Sequence, residues 1–287
     1  MANLKEIRSR ISSIASTMQI TSAMKMVSAA KLKRAQDAII QMRPYANKLT
    51  DLLQDLSGGL DDSQGGEYSN KREIKKVLLV VISSNRGLCG GFNANIIKST
   101  KQLIQENYNN KSVEILSVGK KTSEHFVKNG YVVVETHDDL FNDITFNNVS
   151  FIAESIMKNF SEKRYDKVIL IYNQFKNAAT QIVINEDYLP VQKTENEKNT
   201  NQDYLYEPNK SKIIQELIPK SLKTQLFKAI LDSHASEHGA RMTAMHKATD
   251  NAGELKKDLT LTYNKARQAA ITGEILEIVG GAEALNN

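Results

Sequence analysis

Leu4-Lys5-Glu6-Ile7-Arg8-Ser9-Arg10-Ile11-Ser12-Ser13-Ile14-Ala15-Ser16-Thr17-Met18 places apolar residues at Leu4, Ile7, Ile11, Ile14 and Met18, in alternating steps of three and four. The same register returns at Leu32, Ala35, Ile39, Met42, Ala46, Leu49, Leu53 and Leu56. A spacing of this kind is a heptad seam, the pattern of a helix that winds around another helix. A helix from Asn3 to Ser57, rising 1.5 Å per residue, would be roughly 80 Å long. Between Met18 and Leu32 the seam positions fall on Thr21, Lys25 and Ser28, a wet stretch that would loosen the pairing or admit another contact. Pro44 inside the pattern is expected to kink the helix or break a hydrogen bond. Ser57-Gly58-Gly59 reads as its stop.

The pattern changes after a polar linker. Val77 to Ile82 is an unbroken apolar, β-branched run and reads as a fully buried strand. Gly87 to Gly91 makes a turn, and Phe92 to Asn107 a helix. Strands follow at Val113–Val118, Tyr131–Glu135, Val168–Tyr172 and Gln181–Ile184, with helices at Lys121–Lys128 and Asn148–Lys163. This alternation argues for an α/β layered domain with a mostly parallel sheet. The polar stretch Gln192–Gln202 reads as a surface excursion. A second long helix is expected to begin near Pro208. Pro219 should interrupt it, with Ser221 capping a restart. An approximate heptad track then passes through Leu231, His234, His238, Met245, Ala248, Ala252, Leu255, Leu259, Ala266, Ala269 and Leu276, and Gly280-Gly281 is expected to end it. The expected division is an N-terminal coiled-coil helix (1–57), a linker (58–74), the α/β domain (75–189), a connecting segment (190–207) and a C-terminal coiled-coil helix (208–287). The two helices most simply pair as an antiparallel coiled coil.

Composition narrows the chemistry. The single cysteine, Cys89, rules out an internal disulfide and suits a reducing compartment. No run of about 18 apolar residues is present, so nothing in the sequence spans a bilayer as a helix. The first residues read as neither a secretory signal nor a transit peptide. Net charge is +5. The first helix carries Lys5, Arg8, Arg10, Lys25, Lys31, Lys33, Arg34, Arg43 and Lys48 against few acids. Basic charge near a helix N-terminus opposes the helix dipole, and an anionic partner would offset that.

No catalytic or metal constellation emerges. The loop Asn85–Phe92 follows a strand and opens a helix, where phosphate is often held, but its glycines do not match G-x-G-x-x-G, and Gly119-Lys120-Lys121 stands where a ribose-binding acid would be. Gly119-Lys120-Lys121-Thr122 lacks the P-loop spacing. His234 and His238 share a helix face but have neither an H-E-x-x-H glutamate nor a third ligand of clear spacing, so they read as ordinary helix histidines. Cys89 reads as a small packed side chain. No cofactor and no metal are expected. The C-terminal stretch Ile275-Leu276-Glu277-Ile278-Val279 is an apolar helix end with little to pack on within the chain.

Several blocks resemble the gamma subunit of the F-type ATP synthase, bacterial type: Ile7–Ile11, Ile20–Ser28, Arg43–Ala46, Arg86–Asn93, Tyr204–Pro208, Ala235–Met245, Ala248–Ala252 and Tyr263–Thr272. The resemblance covers the whole chain in order. It implies a long antiparallel coiled coil of N- and C-terminal helices with a central Rossmann-like α/β domain. It also implies a central rotor shaft without catalytic residues, turned by ion flow through a membrane ring in a proton-transporting complex. Expected partners are three alpha and three beta subunits, the epsilon subunit and the membrane c-ring, with catalysis on beta. No nucleic acid is expected, and membrane association comes only through the complex, on the cytoplasmic side of a bacterial plasma membrane. By position, Arg241, Gln268 and Thr272 match residues in polar contact with beta subunits, and Met24 and Lys25 the stretch facing an acidic beta loop. Tyr204, Tyr206 and Glu207 match the foot touching the c-ring and epsilon. Ile275, Leu276, Ile278, Val279 and Leu285 match the tip seated in an apolar bearing.

Two other classes stay open on the residues alone. An enzyme could use the Gly87–Gly91 loop, which saturable nucleotide binding by the domain would support. A coiled-coil nucleic-acid binder could use the basic helix, which strongly salt-dependent DNA binding would support, although no reading head is evident.

Overall fold

The computed structural model describes residues 4–57, 67–69, 72–191 and 210–285. The excursion 192–202, the expected helix start at Pro208, and Tyr204, Tyr206 and Glu207 lie outside the described residues. Two long helices, α1 (Leu4–Ser57) and α5 (Lys210–Leu285), flank a five-stranded sheet. Between them stand β1 (Lys76–Ile82), α2 (Phe92–Asn107), β2 (Ser112–Val118), α3 (Lys120–Lys128), β3 (Val133–Thr136), a 3-10 turn (Asp139–Asn142), α4 (Phe146–Ser161), β4 (Lys167–Phe175) and β5 (Gln181–Leu189). The chain divides into two compact units, one of Ser28–Arg241 and one of Met1–Val27 with Met242–Asn287.

In the larger unit the strand order is β3-β2-β1-β4-β5. β1 pairs parallel with both β2 and β4, β2 parallel with β3, and β4 antiparallel with β5. β1 is central and buried on both faces, which is why Val77–Ile82 reads as a continuous apolar run. Its residues alternate between two cores. Leu78, Val80 and Ile82 pack with Val149, Ile152, Ile156 and Phe160 of α4 and with Leu222, Leu226, Ala229 and Ile230 of α5. Val77, Leu79 and Val81 pack with Phe92 and Ile96 of α2, Phe126 of α3 and Ala240 of α5. The sequence treats the second long helix as a coiled-coil strand throughout, but residues 218–240 of α5 belong to the sheet's own cores. Full burial of Leu226 and Ile230 contributes about 1.5–3 kcal/mol each. From α1 this unit takes the seam residues Leu32, Ala35, Ile39, Ala46 and Leu49, all buried.

The smaller unit is an antiparallel helix pair. Thr21 and Thr249 hydrogen-bond at 2.8 Å, and Met18 Sδ lies 3.9 Å from where a side chain on Gly253 would begin. On α1, Ile7 and Thr21 are buried and Leu4, Ile11, Ile14, Met18 and Lys25 half-buried, as the heptad requires. On α5 the seam runs through Met245, Thr249, Ala252, Lys256, Leu259, Tyr263 and Ala266. The expected track is therefore corrected. Leu255 is exposed and Lys256 takes its place, the aliphatic stem of a lysine serving as seam surface; Ala269 and Leu276 are exposed as well.

Two expected interruptions do not occur, and Pro44, which gives up one backbone hydrogen bond, does not end its helix. α1 continues through Pro44, and α5 continues through Pro219 and past Gly280-Gly281 to Leu285. A proline inside a helix costs about 3 kcal/mol. Pro44 lies on the exposed face between the seam residues Met42 and Ala46, and Pro219 sits between Ile218 and Leu222, both buried. Packing on either side outweighs the local loss, as tertiary context commonly does. Gly280 and Gly281 each cost only about 1 kcal/mol relative to alanine.

Candidate functional site

In open parallel sheets ligands gather at the carboxyl ends of strands where the order reverses, here between β1 and β4. Beside it, at the ends of β1 and β2, the chain packs its own polar atoms together. Ser83 and Ser84, following β1, are fully buried. Ser83 Oγ meets Thr122 Oγ1 at 2.7 Å, and Thr122 Oγ1 meets Ser117 Oγ at 2.7 Å. The first amides of α3 are already matched: Lys120 N–H donates to Asn85 Oδ1 (3.0 Å), Lys121 N–H to Ser84 O (3.1 Å) and Thr122 N–H to Ser83 Oγ (3.2 Å). These donors at the start of α3 are thereby occupied within the chain. Gly119, at φ 109°, turns the chain into α3, and any Cβ there would lie 2.5 Å from Ser83 O.

Above β1 and β4 crosses α5. Ser236 Oγ donates to Asn173 O at 3.0 Å. Gly239 lets the helix approach so closely that a Cβ would stand 3.2 Å from the Ala178 Cα. Two residues on, Arg241 is buried and all three of its guanidinium nitrogens are engaged. Nη2 donates to Arg86 O (3.1 Å), Nε to Gly87 O (3.4 Å), and Nη1 pairs with Glu237 Oε1 (2.7 Å). Nη1 also points at His238 Nδ1, 3.4 Å away. That nitrogen therefore accepts, which leaves His238 Nε2–H to donate to His234 Nε2, 3.1 Å away. His234 in turn stacks on Phe141, with centroids 6.1 Å apart and planes 19° apart.

Burial sets the electrostatics of this cluster. It pushes the His234 imidazole down to about 4, helped by the Lys31 and Arg241 charges. It pushes His238 down to about 3, with His234, Arg241 and Lys31 adding to the effect. Both rings are thus neutral near pH 7. Burial raises the Glu237 carboxyl above its usual range despite the attraction of Arg241. Burial likewise raises the Asp232 carboxyl to about 6 against the opposing charges of Lys228 and Arg43. The Cys89 thiol, buried in the same loop, is pushed up by burial, while Ser84, Arg241 and Asn93 act to lower it and Glu237 to raise it. Nothing in the arrangement combines a nucleophile with a base. Among the described residues no group of three or more His, Cys, Asp or Glu side chains could hold a metal ion.

The other residues singled out by sequence fall elsewhere. Met24 and Lys25 are half-buried in the helix pair, while Gln268 and Thr272 are exposed on α5. The register set by Thr21 and Thr249 places Leu4 opposite about Ala266, and from there to residue 282 only Gly273 is even half-buried. Ile275, Leu276, Ile278 and Val279 accordingly stand exposed, joined by Ile271. The Leu285 side chain is not among those described. At Thr21 the wet stretch admits a polar contact of its own: the residue is buried, and its hydroxyl bonds both Thr249 and Thr17 O. The sequence reading missed Glu237 and His238 as partners of Arg241. Their spacings of four and three were legible; the tie to Arg86 and Gly87, some 155 residues away, was not.

Known proteins agree along the whole chain. The family model described as ATP synthase matches residues 3–285. The ATP synthase gamma chain of Flavobacterium johnsoniae is 62% identical over 287 residues, covering 100% of both chains. The chain belongs to the ATP synthase gamma chain family. The gamma chain of Christiangramia forsetii is 60% identical over 286 residues, again covering 100% of both. Among solved structures, the central stalk and c-ring of the Tetrahymena thermophila mitochondrial ATP synthase includes a chain 26% identical, with TM-score 0.62, covering 80% of this gamma chain and 99% of that one. A chain of the Euglena gracilis mitochondrial ATP synthase, in an OSCP/F1/c-ring assembly, has the same fold at 22% identity and TM-score 0.71, covering 98% of this gamma chain and 94% of that one. Among the described residues, no helix of this gamma chain is long and apolar enough to cross a membrane.

Proposed function

We infer that this chain is the central shaft of a rotary F-type ATP synthase, coupling ion movement through a membrane ring to ATP synthesis or hydrolysis on partner subunits. The observation that supports it best is the end of α5, which continues beyond the paired seam with Ile271, Ile275, Leu276, Ile278 and Val279 all exposed. Full burial of each such side chain in a partner is worth about 1.5–3 kcal/mol, so an apolar sleeve would hold this tip without a hydrogen bond. In this reading the sleeve belongs to a ring of three alpha and three beta subunits, and beta carries the catalytic sites. Met24, Lys25, Gln268 and Thr272 face beta, Lys25 toward an acidic loop. Arg241 belongs to the same beta-facing set, its part in it being indirect. Tyr204, Tyr206 and Glu207 form the foot on the c-ring and epsilon. The tip comprises Ile275, Leu276, Ile278, Val279 and Leu285. The complex sits on the cytoplasmic side of a bacterial plasma membrane, and this chain reaches the membrane only through it.

Coupling of this kind is a free energy shared between sites. A shaft that contacts each beta subunit differently makes their nucleotide affinities differ, and nucleotide binding reciprocally biases the shaft's angle. Native mass spectrometry of what co-purifies with the tagged chain from its source membranes tests the reading. One copy with three each of two nucleotide-binding subunits, together with epsilon and the c-ring, is expected; a lone chain or a homodimer from an intact preparation refutes it.

A further inference from the structure

We propose that Arg241 is a positioning residue: it acts by fixing the backbone of the Arg86–Leu88 loop, not by touching a partner itself. Its functional half rests on the rotor reading above. Only 7% of Arg241 is exposed, and all three of its nitrogens are engaged inside the chain, on Arg86 O, Gly87 O, Glu237 and His238. The loop it holds is the opposite. Arg86, Gly87 and Leu88 are exposed, and Leu88 is held at φ 61° with its side chain turned to solvent. A non-glycine residue in this left-handed region costs about 1 kcal/mol or more and persists only where its surroundings impose it. Those surroundings converge on one carbonyl. Arg86 O accepts from Ser84 Oγ (2.7 Å), from Arg241 Nη2 (3.1 Å) and, more weakly, from Cys89 Sγ (3.9 Å). Glu237 and His238 hold the far side of the guanidinium, so its two carbonyl contacts point one way only. A lysine has one nitrogen and cannot reproduce this fork.

The same loop contains its own reporter. Cys89 is the single cysteine of the chain and is buried beneath the segment that Arg241 ties down. Arg241 acts to lower the Cys89 pKa. Removing it therefore leaves less reactive thiolate, and an electrostatic role alone would slow alkylation. Release of the loop exposes the thiol and speeds it.

The experiment measures iodoacetamide modification of Cys89 in the full chain, and ATP turnover of the assembled enzyme, for Arg241→Ala and Arg241→Lys. Expected for Arg241→Ala are alkylation faster by about tenfold or more, as befits local opening of a loop, and reduced turnover, with Arg241→Lys between it and the native chain in both. Cys89 as protected in Arg241→Ala as in the native chain overturns the proposal, and if turnover nevertheless falls, Arg241 touches a partner directly. Faster alkylation with full turnover overturns the functional half. Should Arg241→Ala fail to fold by circular dichroism, Arg241→Lys carries the test alone, since it keeps the charge near Cys89 and loses only the fork; faster alkylation than in the native chain is expected, and none overturns the proposal. The thiol measurement needs no partner subunit, so its outcome is independent of whether the rotor reading stands.

Discussion

Replacing His234 by leucine should flatten the acid side of the chain's stability profile. The sign follows from proton binding. His234 has an ordinary value of 6.5 when unfolded and about 4 in the fold. Between those values the unfolded chain binds a proton that the folded chain refuses, so stability present above pH 6.5 is lost as pH falls. At pH 5 nearly all unfolded His234 is protonated and little of the folded form is, which corresponds to a loss of about 2 kcal/mol relative to pH 7.5. His238 behaves in the same direction, its value lying at about 3. The buried carboxyls oppose this. Asp232 at about 6 and the raised Glu237 take up protons in the fold first and are relieved as pH falls. The net slope of the native chain therefore does not isolate the imidazoles, whereas the difference between native and His234→Leu cancels most of the carboxyl contribution. Urea unfolding followed by circular dichroism at pH 7.5, 6.5, 5.5 and 5.0 measures it. The native chain should lose about 2 kcal/mol more than the variant over that range. Parallel profiles, within about 0.5 kcal/mol, would mean that His234 is not held neutral and that the assigned direction of its hydrogen bond to His238 is wrong.

Three further outcomes follow from geometry. Gly119→Ala sets a Cβ 2.5 Å from Ser83 O at φ 109°, and should lower stability by about 3 kcal/mol or more in chemical unfolding. A loss under about 1 kcal/mol would show that the β2–α3 turn can relax. Thr21→Val and Thr249→Val each remove one hydrogen bond of 2.8 Å while the remaining threonine keeps its own backbone carbonyl, so each should cost about 1 kcal/mol and the double variant less than their sum. Strict additivity would deny the pair. Changing Ile275, Leu276, Ile278 and Val279 together to serine should leave the helical signal of the free chain unchanged but speed its loss from the assembled complex at least about tenfold, read by native mass spectrometry; unchanged retention would remove the tip from the binding surface.

Much of the fold was legible because most of its elements are locally consistent. The run Val77–Ile82 is buried on both faces, and helix α2 spans the stretch its periodicity indicates. The α1 seam holds even across Thr21, Lys25 and Ser28, since the geometry of the pair places these positions inward whatever their polarity. What was not legible depends on contacts between distant segments. Continuation of α5 through Pro219 rests on packing of Ile218 and Leu222 against the sheet, which no local propensity encodes. The Arg241 network was half visible. Glu237 and Arg241 stand one turn apart, but nothing in the sequence joins Arg241 to Arg86 and Gly87. The exchange of Leu255 for Lys256 on the seam has a different cause: alanine, lysine and leucine positions at this spacing give two nearly equivalent stripes, and the choice between them is made by the partner helix.

The behaviour of α5 explains why its pattern resists a single period. Its residues serve two surroundings in succession. From Ala229 to Arg241 every residue but His234 is buried, the signature of a helix enclosed on all sides. A helix so enclosed needs small residues wherever backbone approaches backbone, and Ser233, Ala235, Ser236, Gly239 and Ala240 supply them. It also needs partners for whatever polar groups it carries inward, and Glu237, His238 and Arg241 find them in one another and in the loop after β1. Past Met245 only a narrow stripe is covered, as a two-helix seam requires. A heptad drawn through both regions must therefore fail in the first, where burial is not periodic. The polar residues that break the pattern there are the ones that tie the helix to the head of the sheet, so the failure of periodicity marks the segment where α5 stops being a coiled-coil strand and becomes part of the domain.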